Sequence, residues 1–238
     1  MFSQNFAMNV NNNFKTHIQY NNYPGRGIVL GRNNEGSWII IYWIMGRSNN
    51  SRNRIFKYEN NILSTEAADP LLVEDPSLII YNAMRDIGNN VIVTNGTQTD
   101  TIYEKLILGS GFLASLEHET YEFDAPNYTP RISGYLDKNI KRITLSVIKR
   151  NETGDTDHCF YRYSNIPAGS GYCITTYMGD WKTPLESFQG KPLLFPLKGN
   201  AEQIANTYWE GLNVDNRISI MVRELDTVNR SIKIINKY

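Results

Sequence analysis

Four arginines near the start of the chain surround a long apolar segment and are the first candidates for chemistry. Arg26 lies in the sequence YPGRG, and Arg47, Arg52 and Arg54 follow the apolar segment at residues 38–45. If Arg52 and Arg54 are extended, the two-residue period of a strand puts both on one face, where two planar guanidinium groups could bind a phosphate or polarise an amide oxygen. An arginine-rich strand end that faces solvent is the structural alternative.

The polar segment NGTQTDT, at residues 95–101, joins a predicted strand to a predicted helix. Unpaired N–H groups at a helix N-terminus, together with the helix dipole, favour an anion at this position. A turn capped by Asp100 or Thr101 explains the same residues without a ligand. Asp100 would repel a phosphate, so it suits ribose hydroxyls or capping better. The candidate ligand contacts of this segment are Asn95, Gly96, Thr97 and Asp100.

Two further residues, Tyr81 and Glu122, carry groups that can transfer protons. Tyr81 lies within a predicted strand, where a tyrosine is typical of the core. Glu122 lies in a predicted loop, where a carboxylate is usually solvated. Their local context therefore selects neither residue as catalytic.

Metal chemistry and covalent chemistry have little support in the sequence. The three histidines show no ligand spacing, and the chain contains neither Cys-x-x-Cys nor His-Glu-x-x-His. It also lacks the Gly-x-Ser-x-Gly nucleophile elbow, the P-loop and the dinucleotide-binding fingerprint. We therefore expect no metal site.

The elements that must position these residues follow from apolar periodicity and turn residues. The predicted elements, in chain order, are a hairpin at 27–45, a β pair at 78–84 and 91–94, a helix beginning at Asp100 or Thr101, a short helix at 112–119, strands between 131 and 177, a segment at 179–197 that is mostly loop, an amphipathic helix at 201–212 and a final hairpin. This order predicts an α+β fold with largely antiparallel sheets.

Composition and charge exclude several classes of protein. Of the 238 residues, 41% are hydrophobic and 20% charged, as is ordinary for a globular protein. The net charge is zero, so no long-range field attracts nucleic acid or an anionic membrane. The apolar segment at 38–45 is too short to span a bilayer, and the first residues lack the basic start and apolar run of a signal peptide. We therefore expect a cytoplasmic protein with neither a nucleic-acid nor a membrane partner.

Two other features bear on the organisation of the chain. Residues 1–22 are polar and rich in asparagine, and they predict an irregular N-terminal arm or a short edge element outside the catalytic core. Cys159 and Cys173 flank a turn at 167–171, so they either face each other across a hairpin or are two separate buried thiols.

Six segments, taken together and in order, resemble the archaeal-type IMP cyclohydrolases and their longer bacterial relatives. The segments are YPGRGIVLG, YWIMGRSNNSRNR, DPSLIIYNAMR, VTNGTQTDTI, YTPRISG and CITTYMGD. The resemblance implies one domain at residues 23–238 with a four-layer αββα sandwich, like that of N-terminal nucleophile hydrolases. It also implies conversion of the formylated aminoimidazole carboxamide ribonucleotide (FAICAR) to IMP and water, without metal or cofactor.

The same resemblance implies roles for individual residues. Arg54 corresponds to a functional arginine at the end of an RS...NR element, Tyr81 to an active-site tyrosine and Glu122 to the carboxylate of a Tyr-Glu-x-Asp segment. Tyr81 and Glu122 would move protons, while Arg54 stabilises the developing oxyanion. The residues that would hold phosphate, ribose or base are Arg26, Arg47, Asn95, Gly96, Thr97, Asp100 and Arg131.

The chain also departs from the short archaeal pattern. Residues 1–22 and 183–199 exceed it, and the match at Glu122 needs a gap of one residue. An amide hydrolase of the same fold and a non-catalytic purine nucleotide-binding protein are the alternative functions. The resemblance leaves a homo-oligomer open.

Overall fold

In the computed structural model, which describes residues 2–73, 76, 79–226 and 230–238, thirteen strands form two antiparallel sheets. The strands are β1 (Gly27–Arg32), β2 (Trp38–Met45), β3 (Ile55–Glu59), β4 (Ile62–Glu66), β5 (Asn82–Ile87), β6 (Asn90–Thr94), β7 (Arg131–Asp137), β8 (Arg142–Arg150), β9 (Thr156–Tyr163), β10 (Ser170–Thr175), β11 (Leu193–Pro196), β12 (Arg217–Leu225) and β13 (Arg230–Asn236). Across the same residues, the strand orders are β11-β10-β1-β2-β12-β13 and β3-β4-β5-β6-β7-β8-β9.

Helices cover the outer face of each sheet. The helices are α1 (Phe2–Phe14), followed by a π-helical segment (Lys15–Gln19), α2 (Asn49–Arg52), a 3-10 turn (Pro70–Leu72), α3 (Gln98–Ile107), α4 (Phe112–Ser115) and α5 (Ala201–Gly211). Helices α1 and α5 pack on the first sheet, and α3 packs on β5 and β6 of the second. The α+β class and the αββα sandwich predicted from the sequence are confirmed.

Strand β2 shows why the longest apolar segment forms a strand. Its alternate residues Ile40, Tyr42 and Ile44 pack in the core between the two sheets. The residues between them, including Ile41 and Trp43, pack under the helices. A strand buried on both faces needs no polar positions, so its sequence is a continuous apolar run.

The second β pair is confirmed, but its first strand begins later than predicted. β5 starts at Asn82, so Tyr81 lies directly before the strand rather than within it, and Leu78 lies outside the described residues. The Thr65 hydroxyl accepts a hydrogen bond from the Tyr81 amide at 3.0 Å and donates one to the Ile79 carbonyl at 2.6 Å. The Thr65 hydroxyl therefore replaces a backbone group as the hydrogen-bond partner of the Tyr81 amide.

The irregular conformation predicted for residues 1–22 is wrong, because residues 2–19 are helical. Val10, Phe14 and Ile18, spaced four residues apart, are buried on one helical face. Phe14 packs against Phe195 and Tyr208, which belong to the first sheet and to α5. Three asparagines separate Val10 from Phe14, and three other polar residues separate Phe14 from Ile18, so the polar composition conceals the apolar spacing.

The short helix predicted at 112–119 ends earlier, at Ser115. Of the two alternatives for the cysteines, the hairpin is excluded, because β9 and β10 belong to different sheets. Both thiols are free, with Cys173 buried and Cys159 partly buried. No helix among the described residues is long and apolar enough to cross a membrane.

Candidate active site

A cleft of about 280 Å³ lies at one end of the sandwich, close to the lower end of the size range of small-molecule pockets. The chain contributes to it before β1, after β2, before β7 and after β10. Four of the predicted site residues line this cleft: Arg26, Arg47, Arg54 and Glu122.

Arg26 and Glu122 form a buried ion pair in the cleft. Arg26 Nη2 lies 2.8 Å from Glu122 Oε2, and the two side chains are only 9% and 6% exposed. Arg26 Nη1 also donates to the Asn95 carbonyl at 2.9 Å. Burial opposes the charge on Arg26, but the pKa of its guanidinium still lies well above the ordinary value because Glu122 is so close. Arg26 is therefore a fixed cation at the cleft.

A close approach of two chain segments places Arg26. The Arg26 amide donates to the Thr176 hydroxyl at 3.0 Å, and the Thr176 amide donates to the Arg26 carbonyl at 2.8 Å. Gly25 has φ +72°, and a Cβ added there would lie 2.1 Å from Thr176 Oγ1. Only glycine fits this turn, because it meets both the conformational and the spatial requirement.

Arg54 is held by the backbone that follows β2. Its Nε donates to the Ser51 carbonyl at 2.8 Å and its Nη2 to the Met45 carbonyl at 3.0 Å. Ser48 and Ser51 form a capping box for the one-turn helix α2, so residues 49–52 are not extended. The shared strand face predicted for Arg52 and Arg54 is therefore wrong, and Arg54 alone lines the cleft.

Tyr81 lies behind the cleft rather than on its lining. Its hydroxyl is 2.7 Å from the hydroxyl of Tyr42, and both side chains are buried between the sheets. Burial first, and then the neighbouring Tyr81, raise the pKa of Tyr42 well above its ordinary value, although the charges of Arg26 and Arg54 oppose this. Tyr42 therefore keeps its proton and can donate it to Tyr81.

Gly96, Thr97 and Arg131 form a second group, which adjoins the cleft at Glu122. Arg131 Nη1 donates to Gln98 Oε1 at 2.7 Å and lies 3.5 Å from Thr97 Oγ1. A Cβ added to Gly96 would lie 2.7 Å from Arg131 Nη1 and 3.6 Å from Glu122 Oε1. The start of α3, Arg131 and the cleft are thus neighbours.

Asn95 does not reach the cleft with its side chain. Asn95 Nδ2 donates to the Pro130 carbonyl, while its Oδ1 accepts from the Ile132 amide and from Gln98 Nε2. These bonds join the end of β6 to the start of β7. The Asn95 side chain therefore makes its hydrogen bonds inside the protein.

Asp100 is also directed away from the cleft. Its carboxylate pairs with Arg85 Nη1 at 2.8 Å and accepts from Asn82 Nδ2 at 3.0 Å. α3 begins at Gln98 with Thr97 as its N-cap, so the prediction that Asp100 or Thr101 starts the helix is wrong. The carboxylate instead attaches the first turn of α3 to β5.

The cleft residues that the sequence did not select as site residues include Tyr23, Asp124, Thr129 and Tyr177. The Tyr23 and Tyr177 rings stack with centroids 6.0 Å apart, and the Arg47 guanidinium lies 4.6 Å from the centroid of Tyr23. Tyr23 and Tyr177 belong to segments that carry the resemblance, but they are two of 15 tyrosines and have no distinguishing local signal.

The described residues contain no group of three or more His, Cys, Asp or Glu side chains placed to hold a metal ion. The polar groups of the cleft are instead arginines, two carboxylates, of which that of Glu122 is ion-paired, hydroxyls and amides. Such a set can bind an anionic ligand and exchange protons with it.

Comparison with known proteins places these features in a family. The sequence model of a family described as "IMP cyclohydrolase-like protein" matches residues 23–229. A Methanococcus aeolicus protein named IMP cyclohydrolase is 33% identical over 121 residues, which are 49% of this chain and 59% of that protein. The protein of the same name from Methanocaldococcus jannaschii is 31% identical over 118 residues, or 49% and 58% of the two chains.

A third relative is matched over a longer region. The protein named IMP cyclohydrolase from Methanopyrus kandleri is 27% identical over 159 residues, which are 65% of this chain and 75% of that protein. The matched region spans less than two thirds of the Methanococcus aeolicus and Methanocaldococcus jannaschii proteins, at 59% and 58% of their lengths.

Proposed function

Because the chain belongs to the IMP cyclohydrolase-like protein family, we propose that it is an enzyme that closes the purine ring of FAICAR to give IMP and water. The single observation that carries this proposal is the cleft in which Arg54 lies beside the buried Arg26–Glu122 pair. The enzyme would act on a cyclic amidine C–N bond, with residues 23–238 as one cytoplasmic domain.

The reaction needs a proton acceptor and a partner for negative charge. The carboxamide nitrogen of FAICAR is a poor nucleophile, and it must lose a proton as it attacks the formyl carbon. The formyl oxygen gains charge in the same step and later leaves as water. General acid-base catalysis raises a reaction rate by roughly 10²–10⁴-fold, and a fixed hydrogen-bond donor to the oxyanion raises it by about 10²–10³-fold.

We assign the oxyanion partner to Arg54. Two backbone carbonyls hold its guanidinium, and they use two of its five N–H donors. The remaining donors are pre-oriented at the cleft, so charge on the formyl oxygen meets a partner that needs no rearrangement.

We assign the proton transfers to Glu122 and Tyr81. Glu122 lines the cleft, and its pairing with Arg26 holds it in position. Tyr81 is the proposed second carrier, although it lies behind the cleft lining, with its hydroxyl held by Tyr42. The carboxamide and formamido groups are substituents of the same ring, and a site that holds them in contact also orients them for the reaction.

We assign nucleotide binding to the other cations and to the start of α3. Arg47 lines the cleft, and Arg131 lies beside Gly96 and Thr97 at the start of α3, where the helix dipole favours an anion. A purine nucleotide monophosphate is the proposed ligand. Asn95 and Asp100 would support this site from behind rather than touch the ligand.

The test is turnover of FAICAR by the purified protein without added metal or folate. We expect the ultraviolet spectrum of IMP to appear and chromatography to identify IMP as the product. Release of formate with the free amine would instead favour the amide hydrolase, and IMP binding without turnover would favour the non-catalytic alternative. Either result would overturn the proposal.

A matched pair of variants links the activity to this cleft. Arg54→Lys keeps the charge but loses the planar fork, so we expect turnover to fall about 10²-fold. Arg52→Lys makes the same change at a residue that does not line the cleft and whose side chain bonds to Gly46 and Asn216. It should leave turnover nearly unchanged, and an equal loss in both variants would argue against the assignment.

A further inference from the structure

One wall of the cleft is a hydrogen-bonded chain of three side chains, Asp124, Thr129 and Tyr177, to which the proposed reaction assigns no part. Thr129 Oγ1 lies 2.5 Å from Asp124 Oδ2 and 2.5 Å from the Tyr177 hydroxyl. The Thr129 amide also donates to Asp124 Oδ1 at 2.6 Å. Thr129 and Tyr177 are buried, so these bonds face little competition from solvent.

The direction of each bond in this chain follows from the number of protons. An ionised carboxylate only accepts, and a hydroxyl has a single proton to donate. Thr129 therefore donates to Asp124, and the proton between Thr129 and Tyr177 comes from Tyr177. Because its proton is already engaged, the Tyr177 oxygen can only accept from anything that enters the cleft.

The protonation state of Tyr177 agrees with this direction. Burial is the largest influence on Tyr177 and raises the pKa of its hydroxyl, against the charge of Arg26. The phenol is therefore neutral at physiological pH. Its ring also stacks on Tyr23, which limits its rotation.

We propose that Tyr177 is a ligand-binding residue that accepts a hydrogen bond from an N–H or O–H donor of the nucleotide, and that Thr129 and Asp124 are positioning residues that orient its proton. The identity of the ligand rests on the proposed function. IMP carries such donors on its base and on its ribose.

Binding of IMP by calorimetry tests this assignment in three variants. Tyr177→Phe removes the acceptor, so the Kd for IMP should rise about 3- to 10-fold, the usual effect of one hydrogen bond. Thr129→Val should cause a similar rise, because it frees the Tyr177 proton to point into the cleft. The double variant should bind no worse than either single variant, since both remove the same interaction.

A control variant separates this role from general damage to the fold. Tyr208→Phe removes the hydroxyl of another buried tyrosine, which bonds to the Pro196 carbonyl outside the cleft. It should leave the Kd for IMP unchanged. An IMP Kd within twofold of wild type in Tyr177→Phe, or strictly additive losses in the double variant, would overturn the inference.

Two further measurements identify the donor and separate this inference from the proposed function. If a ribose hydroxyl is the donor, the wild-type protein should bind 2′-deoxy-IMP or 3′-deoxy-IMP less tightly than IMP, and this loss of affinity should disappear in Tyr177→Phe. If the base N–H is the donor, any loss of affinity for the two deoxy analogues should be the same in Tyr177→Phe as in the wild type. If the wild-type protein turns over FAICAR but the variants bind IMP as tightly as the wild type does, only this inference is overturned. Wild-type protein that neither turns over FAICAR nor binds IMP overturns the proposed function and this inference with it.

Discussion

Arg26 and Glu122 place two opposite charges inside the protein, where the desolvation penalty offsets much of their attraction. Two apolar side chains of similar volume would fill the same space without that penalty. The ion pair is therefore a poor source of stability, and its position at the cleft fits a role in ligand chemistry better. Removing Glu122 alone would leave the Arg26 charge buried without its partner.

Tyr81→Phe tests the division between catalysis and binding at the level of one hydroxyl. The change removes the proposed proton carrier but keeps the ring in the core between the sheets. We expect kcat to fall about 10²-fold or more, whereas the Kd for IMP should change much less. Steady-state kinetics and calorimetry measure the two quantities, and a larger effect on affinity than on kcat would contradict the assigned role.

Arg47→Ala should give the opposite pattern. Arg47 lies over the Tyr23 ring on the cleft lining and is expected to contact the nucleotide through charge-assisted bonds. We expect the Kd for IMP to rise roughly 10- to 100-fold with a smaller change in kcat. Arg32→Ala is the control, because Arg32 makes the same kind of contact with Trp38 outside this cleft. An unchanged Kd in Arg47→Ala would exclude it as a binding residue.

At the scale of elements, the connections between strands rather than the strands themselves carry most of the cleft. The turn before β1 places Arg26, and the one-turn helix after β2 leads to Arg54. The strands on which these connections depend are buried on both faces, which makes them rigid supports. Functional groups at the ends of rigid strands are held more precisely than groups on long loops.

Gly25→Ala should damage both stability and binding through the turn before β1. A Cβ at this position would meet Thr176 Oγ1 at 2.1 Å, and φ is +72°. Gly36→Ala is the matched control, because φ is +87° there but no atom lies within 4 Å of the added Cβ. Urea unfolding should show a loss of about 1 kcal/mol for Gly36→Ala and a clearly larger loss for Gly25→Ala. Equal losses would mean that the contact with Thr176 has no importance.

At the scale of the whole molecule, apolar packing holds the two sheets together, and an ion pair between Arg223 and Asp86 links a strand of one sheet to a strand of the other. Arg223 on β12 contacts both carboxylate oxygens of Asp86 on β5, with Nη2 2.7 Å from Oδ2. The Arg223 side chain is buried. Burial opposes its charge, but the bond and the charge of Asp86 still raise the pKa of Arg223.

Asp86→Ala should destabilise the sandwich by roughly 3–5 kcal/mol, because it leaves the charge of Arg223 buried without a partner. The double variant Asp86→Ala with Arg223→Met should recover part of this loss. Glu202→Ala breaks an exposed pair with Lys233 and should hardly change the urea midpoint. A loss in Asp86→Ala as small as that of the exposed pair would show that the sheets do not depend on this link.

The sequence by itself determined the class of the fold and most of its strands. Apolar periodicity predicted the hairpin of β1 and β2, the amphipathic helix α5 and the final hairpin, and the structure confirms each of them. These elements are readable because each depends on the pattern of residues that are neighbours in the chain. Asparagines hid the same kind of pattern in α1, and the hydroxyl of Thr65 displaced the start of β5.

Only the tertiary structure decided which side chains meet. Glu122 lies 96 positions after Arg26, and Thr129 lies 48 positions before Tyr177, yet each pair is in hydrogen-bond contact. Local periodicity carries no information on such pairs, because they depend on how the two sheets stack and where the connecting segments cross. The same stacking turned Asn95 and Asp100 away from the cleft and brought Tyr177 into its wall.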